Sequence, residues 1–184
     1  MTTISGPTIL LFSGNYFNFL DPSGSIFTIE DIAQGLAFTA RFSGQTAKGR
    51  WYSVAEHSVV ASWHVAPENA LAALMHDATE TFIRDVPAPL KRKLPDYLRY
   101  EQKIEAAVLA RFGIALPLPD EVKNIDMRLL ATEQQQVMEN FDDWEVLRGV
   151  DPLPIRLGFW ERGEAMTNFL RRFEELSRGM AQAA

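Results

Sequence analysis

Between Pro67 and Pro87 the sequence carries Leu71, Leu74, Met75, Ala78 and Phe82 at positions i, i+3, i+4, i+7 and i+11, which is the spacing of one apolar helical stripe. Such a stripe must be buried against other elements, and it breaks before Pro87-Ala-Pro89, where proline cannot continue a helix. In its middle stand His76 and Asp77. Whatever packs on this helix must therefore also satisfy an imidazole and a carboxylate.

Other helix starts surround it. Thr28-Ile-Glu-Asp31 reads as a capped N-terminus leading into Ile32, Ala33, Leu36 and Ala37, with an end expected near Phe42 to Gly44. Ser53-Val-Ala-Glu56 reads as a capping box opening a helix with Val54, Val59, Val60 and Trp63, and His57 lies one turn into it. Asp96 opens a helix through Ile104, Val108 and Leu109 to a terminating Gly113, and Pro119-Asp120 opens another through Val122, Ile125, Leu129 and Leu130, with Asp126 inside it. A Pro- and Gly-rich connection from Asp142 to Gly158 precedes a last amphipathic helix with Met166, Phe169, Leu170 and Phe173.

These elements predict an all-α bundle of about six helices in a single domain over residues 1–184: an irregular lead-in over 1–27 with at most one small hairpin, a helical core over 28–140, then a loop and C-terminal helix over 141–184. The longest early apolar stretch, Ile9-Leu10-Leu11-Phe12, is too short for a secretion signal or membrane span, so a cytoplasmic protein with no membrane partner is expected. A net charge of −6 argues against binding a nucleic acid polymer, which draws affinity from clustered Lys and Arg, and leaves small phosphorylated molecules as candidate partners.

The sequence contains no Cys, so any metal must be held by nitrogen and oxygen. His57 has Val54, Val60 and Ala61 within a turn, and Asp126 has Val122, Leu129 and Leu130 at similar offsets, so both are expected to project towards apolar surroundings. Singly, each has an ordinary reading, a core His bonded to a backbone carbonyl or an Asp paired with an Arg such as Arg128. Together, His57, His76, Asp77 and Asp126 form a two-nitrogen, two-carboxylate ligand set on three helices, suited to one divalent cation such as Mn, Fe, Co, Ni or Zn.

Neighbouring residues on a helix point about 100° apart, so His76 and Asp77 share a cation only if it lies over the edge between them. Glu80, at i+4 from His76 and i+3 from Asp77, hangs over the same patch, where acid–base work and an ordinary solvated helix carboxylate are both open readings. His64 is on nearly the same face as His57 but about 10 Å along the axis, too far to join the same centre.

His57, then His76-Asp77, then Asp126 resembles the H…HD…D signature of the HD superfamily of metal-dependent phosphohydrolases. Ser53-Val-Ala-Glu-His-Ser58, the run from His76-Asp77-Ala-Thr-Glu80 to Arg84-Asp85-Val-Pro-Ala-Pro-Leu-Lys91, and Val122-Lys-Asn-Ile-Asp126 are similar to the bacterial 5′-deoxyribonucleotidases of that superfamily, over residues 30–135. The resemblance implies an HD-domain fold, one cation (Mn, Co, Fe, Ni, Zn or Mg) on His57, His76, Asp77 and Asp126, catalytic carboxylates at Glu80 and Asp85 near the attacking water, and Arg41 and Lys91 around the phosphate. Arg41-Phe42 departs from the relatives' Arg-Trp, which bears on sugar discrimination.

The expected reaction is hydrolysis of a (deoxy)ribonucleoside 5′-monophosphate to nucleoside and phosphate, in a homo-oligomer by analogy with those relatives. Triphosphate or pyrophosphate release from a nucleoside triphosphate is the alternative reaction, and a non-catalytic, metal-stabilised nucleotide-binding module the alternative of another class. The module has no need of Glu80 and Asp85 beside its metal. Arg41 and Lys91 have a plain reading as solvated cations, and Trp51 and Tyr52 are placed either to stack on a base or in the core.

Overall fold

A computed structural model describes residues 6–183; residues 1–5 of the expected lead-in, and Ala184, lie outside the described residues. The chain opens with an antiparallel hairpin of β1 (Thr8–Leu10) and β2 (Tyr16–Asn18), in register Thr8↔Asn18, Ile9↔Phe17 and Leu10↔Tyr16. Phe17 points inward, fully buried, and stacks on Phe82 with ring centroids 3.8 Å apart, while Phe27 meets both rings edge-on. This aromatic knot fixes the hairpin to the segment that carries Glu80.

Helix α1 (Ile29–Ala37) starts at the expected Thr28 cap: Thr28 Oγ1 accepts from Asp31 N, and the Asp31 carboxylate accepts from Thr28 N and from Ser13 N of the hairpin turn. It stops well short of Phe42. Thr39 Oγ1 donates to the Gly35 carbonyl, the chain extends so that Ala40 bridges Ser53, and Phe42 and Ser43 take left-handed φ of 55° and 52°. Arg41 therefore sits on a tight turn beside the start of α2 rather than on a helix.

Helix α2 (Val54–Trp63) is buried from Val54 to Ser62 and packs against α1, α3, α7 and α8, which makes it the central element. The long helix expected from Pro67 is instead two pieces, α3 (Ala70–Met75) and α4 (Glu80–Ile83), after a 3₁₀ turn at Pro67–Asn69. Between them Ala78 N, Glu80 N and Thr81 N bond three residues back, to Met75, Asp77 and Ala78. The α ladder thus tightens at His76-Asp77, the kind of local rewinding found at functional positions.

A one-turn α5 (Ala88–Lys91) covers the Pro-Ala-Pro-Leu-Lys segment, then come α6 (Pro95–Arg111), α7 (Asp120–Gln136), a 3₁₀ turn at Glu145–Leu147 and α8 (Arg162–Ala183). Among the described residues, six helices longer than one turn match the expected mostly helical fold. One core gathers the hairpin, α1, α6 and α8 around α2, and a second joins the other face of α2 to Val122, Ile125 and Leu129 of α7 and to Leu153 and Leu157 of the long connection. Among the described residues no helix is long and apolar enough to cross a membrane.

Helices α1 and α4 approach backbone to backbone at Gly35. A Cβ there would lie 2.4 Å from Thr81 Cγ2 and 2.9 Å from Thr81 Cα, and Thr81 Oγ1 donates to the Ile32 carbonyl beside it. Gly35→Ala must push α4 away, so it is expected to cost about 1–3 kcal/mol despite alanine's better helix propensity. A urea melt checks this, and an unchanged midpoint would mean that the two helices have slack.

Candidate metal centre

Three elements bring the predicted residues together. His57 comes from the first turns of α2, His76 and Asp77 from the tightened link between α3 and α4, and Asp126 from the middle of α7. His57 Nε2 lies 3.2 Å from Asp126 Oδ1, 3.3 Å from His76 Nε2 and 3.7 Å from Asp77 Oδ2; His76 Nε2 lies 3.3 Å from Asp77 Oδ2 and 4.0 Å from Asp126 Oδ1. Ligands at about 2.1 Å from one cation stand about 3.0–3.4 Å apart when adjacent and about 4.2 Å when opposite. The spacing fits for His57, His76 and Asp126, which form a group that could hold one metal ion, while Asp77 Oδ2 lies beside the two imidazoles but outside that group.

The hydrogen bonds behind the rings argue the same way. His57 Nδ1 bonds to Glu133 Oε1 at 2.5 Å and His76 Nδ1 to the Ala73 carbonyl at 2.8 Å. Both acceptors engage Nδ1 as a donor, so both Nε2 atoms face one another and two carboxylate oxygens. That concentration of electron density calls for a cation. Burial lowers the pKa of His57 and Arg41 lowers it further, yet Glu133 and Asp126 outweigh them and lift it to about 9, so a cation binding at Nε2 must displace a proton from this ring. Burial raises and the two His lower the Asp126 pKa, which ends well below its usual range. Asp126 is less enclosed than expected, with a 38% exposed side chain, so one side of the centre is open. Arg128 is not its partner, as its Nε donates to the Asp151 carbonyl.

Glu133 was missed. It lies seven residues after Asp126 on nearly the same face of α7, fully buried, and its second oxygen accepts from Arg41 Nη2 at 2.7 Å. Burial raises its pKa, but Arg41 and His57 hold it below the usual carboxylate range. The spacing from Asp126 was its only signal. Arg41, in turn, is no solvated cation: it is buried, with Nη1 3.6 Å from Asp77 Oδ2.

Glu80 is buried, and its Oε2 has no hydrogen-bond partner among the described residues. Burial first, then the charges of Asp77 and Asp85, push its pKa well above the usual carboxylate value, which overturns the reading as a solvated helix Glu. Asp85 follows Arg84, whose φ of +69° turns the chain back, and burial and Asp77 raise its pKa too. Lys91 donates to Glu101 Oε1 at 2.6 Å and feels Glu80 and Asp77, so it is a paired cation at the site's edge. His64 caps α2, exposed and apart from this group. Tyr52 is fully buried, which removes it as a base-stacking platform, and the Trp51 ring is covered by the Arg162 guanidinium at 3.9 Å.

The chain is 38% identical over 176 residues to the uncharacterized protein YfdR of Escherichia coli (strain K12), an alignment spanning 92% of this chain and 95% of YfdR. The chain belongs to the YfdR family. It is also 40% identical over 121 residues to an uncharacterized protein of Rhodobacter capsulatus, covering 61% of this chain and 62% of that one. No protein-family model matches the chain.

In this YfdR-family chain the presumed capping box at Ser53 is only half formed. Ser53 Oγ accepts from Glu56 N, but the Glu56 carboxylate turns away and accepts from Gly158 N (2.8 Å), Phe159 N (2.9 Å) and Trp160 N (2.7 Å), more than 100 residues along the chain. Burial pushes its pKa up to about 7 against those three bonds. Because the folded value exceeds the unfolded one, the contribution to stability is full below pH 4.5 and is lost as pH rises towards 7. Wild type is expected to lose on the order of 3 kcal/mol more than Glu56→Gln between those limits. Denaturant melts at both pH values check this, and parallel curves would refute it.

Proposed function

We propose that the chain is a metal-dependent phosphohydrolase of the HD superfamily that hydrolyses a (deoxy)ribonucleoside 5′-monophosphate to nucleoside and inorganic phosphate. The observation that carries this reading is the convergence of His57 Nε2, His76 Nε2 and Asp126 Oδ1, with Asp77 Oδ2 beside the two imidazoles, both rings anchored through Nδ1, and Glu80 and Asp85 close enough to feel the charge of Asp77. A purely structural site would not need Glu80 and Asp85.

His57, His76, Asp77 and Asp126 would hold a divalent cation, which would supply Lewis acidity for attack of water on the phosphate ester. Asp85 orients that water and takes its proton as the new O–P bond forms. Glu80, whose burial raises its pKa, gives a proton to the leaving 5′ oxygen as the ester bond breaks. Arg41, through Nη1, and Lys91 offset the phosphate charge by charge-assisted hydrogen bonds.

The test is release of phosphate and polyphosphate from a panel of nucleoside mono- and triphosphates, using chelator-treated protein with Mn, Co, Zn or Mg restored. Inorganic phosphate from monophosphates is the expected product. Polyphosphate released from triphosphates alone would replace this reaction with the triphosphohydrolase one, and silence with metal bound would favour a binding module.

A further inference from the structure

Two groups at the candidate centre end on one side chain. Glu133, with a fully buried side chain, uses Oε1 for His57 Nδ1 at 2.5 Å and Oε2 for Arg41 Nη2 at 2.7 Å. His57 therefore turns its Nε2 to the ligand group, 3.2 Å from Asp126 Oδ1. The Arg41 guanidinium is anchored along one edge only: Nη1 stands 3.6 Å from Asp77 Oδ2, beyond hydrogen-bond range, and Nε is buried without a partner among the described residues. A planar fork pinned by one nitrogen, with another donor directed at the ligand group, is arranged to take an anion there.

We propose that Glu133 is a positioning residue serving both halves of the reaction site, holding His57 in the tautomer that binds metal and Arg41 in the orientation that receives the substrate phosphate. The assignment rests on the metal-dependent reading above and adds a residue outside its ligand and catalytic sets. Its chemistry is that of a carboxylate with two acceptor oxygens facing two donors. Glutamine cannot reproduce it, because its single carbonyl oxygen satisfies one of them while its NH₂ meets the other as donor against donor. Loss of the negative charge also makes His57 a weaker ligand.

Titration calorimetry with Mn²⁺ on chelator-treated protein, and with inorganic phosphate on the Mn²⁺-loaded protein, tests this in wild type, Glu133→Gln, Arg41→Lys and the double variant. Glu133→Gln is expected to weaken Mn²⁺ binding by about 10–100-fold. Arg41→Lys keeps the charge but lacks the fork, so it weakens phosphate and leaves Mn²⁺ affinity within about twofold. In the Arg41→Lys background, Glu133→Gln still weakens Mn²⁺ but adds no further loss for phosphate, since the two substitutions remove the same orientation.

A merely structural Glu133 would lower affinity for both probes by the same factor in either background, and that additive result overturns the proposal. So does a Glu133→Gln protein that binds Mn²⁺ like wild type. Should Glu133→Gln fail to fold, Arg41→Lys still decides, because an unchanged phosphate affinity there removes Arg41 as the oriented arm. Wild-type protein that takes up no Mn²⁺ overturns the underlying metal reading itself, a distinguishable failure.

Discussion

Replacing Asp77 with alanine is expected to reduce Mn²⁺ affinity and phosphate release each by about a thousandfold or more, equivalent to several kcal/mol of charge stabilisation. The Asp77 carboxylate oxygen stands 3.3 Å and 3.7 Å from the two imidazole nitrogens that face the ligand group, and 3.6 Å from Arg41 Nη1. Its removal deletes a ligand and also leaves Arg41 partly unbalanced, so an incoming cation meets a more positive site. Asp77→Asn, which keeps a neutral oxygen in place, should fall between alanine and wild type. Calorimetric Mn²⁺ titration and phosphate release on the same preparations check both, with circular dichroism to confirm folding. An Asp77→Ala chain that binds Mn²⁺ as tightly as wild type would remove Asp77 from the ligand set.

Helix starts were the most legible part of this fold, because each is written locally. Thr28 with Asp31 and Pro119 with Asp120 begin helices where the side chains say they should. Ends and interruptions were less legible. The apolar stripe from Leu71 to Phe82 runs unbroken through His76 and Asp77, and a switch from four-residue to three-residue hydrogen bonding over one turn barely changes which face is buried. The rewinding is therefore invisible to apolar spacing, although it is what turns Asp77 and His76 towards the same point. The end of α1 was misplaced for a related reason: Phe42 and Ser43 adopt left-handed backbone without being Gly or Asn, so no residue type marks the turn that delivers Arg41.

The geometric meeting of His57, His76 and Asp126 was legible because ligand-type side chains are few and stand out against aliphatic neighbours. Their supporting contacts were not. Glu56 has a local pattern that suggests one partner and a distant one, at residues 158–160, that it takes. Glu133 is joined to residues 76 and 92 positions away, and only its heptad offset from Asp126 hints at a shared face. Long-range partners of buried charges follow from packing, which local sequence does not encode.

Glu80→Gln is expected to lower kcat by about 10²–10⁴-fold while leaving Mn²⁺ affinity within a few fold, the pattern of a lost proton donor rather than a lost ligand. Glu80 is buried with one carboxylate oxygen unpartnered, and burial is the largest cause of its raised pKa, ahead of Asp77 and Asp85. An acid with a raised pKa is protonated below that value, so activity should be full on the acidic side and fall as pH rises through it. Glutamine cannot donate as an acid, so the basic limb attributed to Glu80 should vanish from the pH profile of the residual activity. Asp85 provides the contrast, since Asp85→Asn should remove the acidic limb, where a base becomes protonated and stops accepting. Retention of the basic limb in Glu80→Gln would move the proton donor elsewhere in the site and leave Glu80 as a neutral wall.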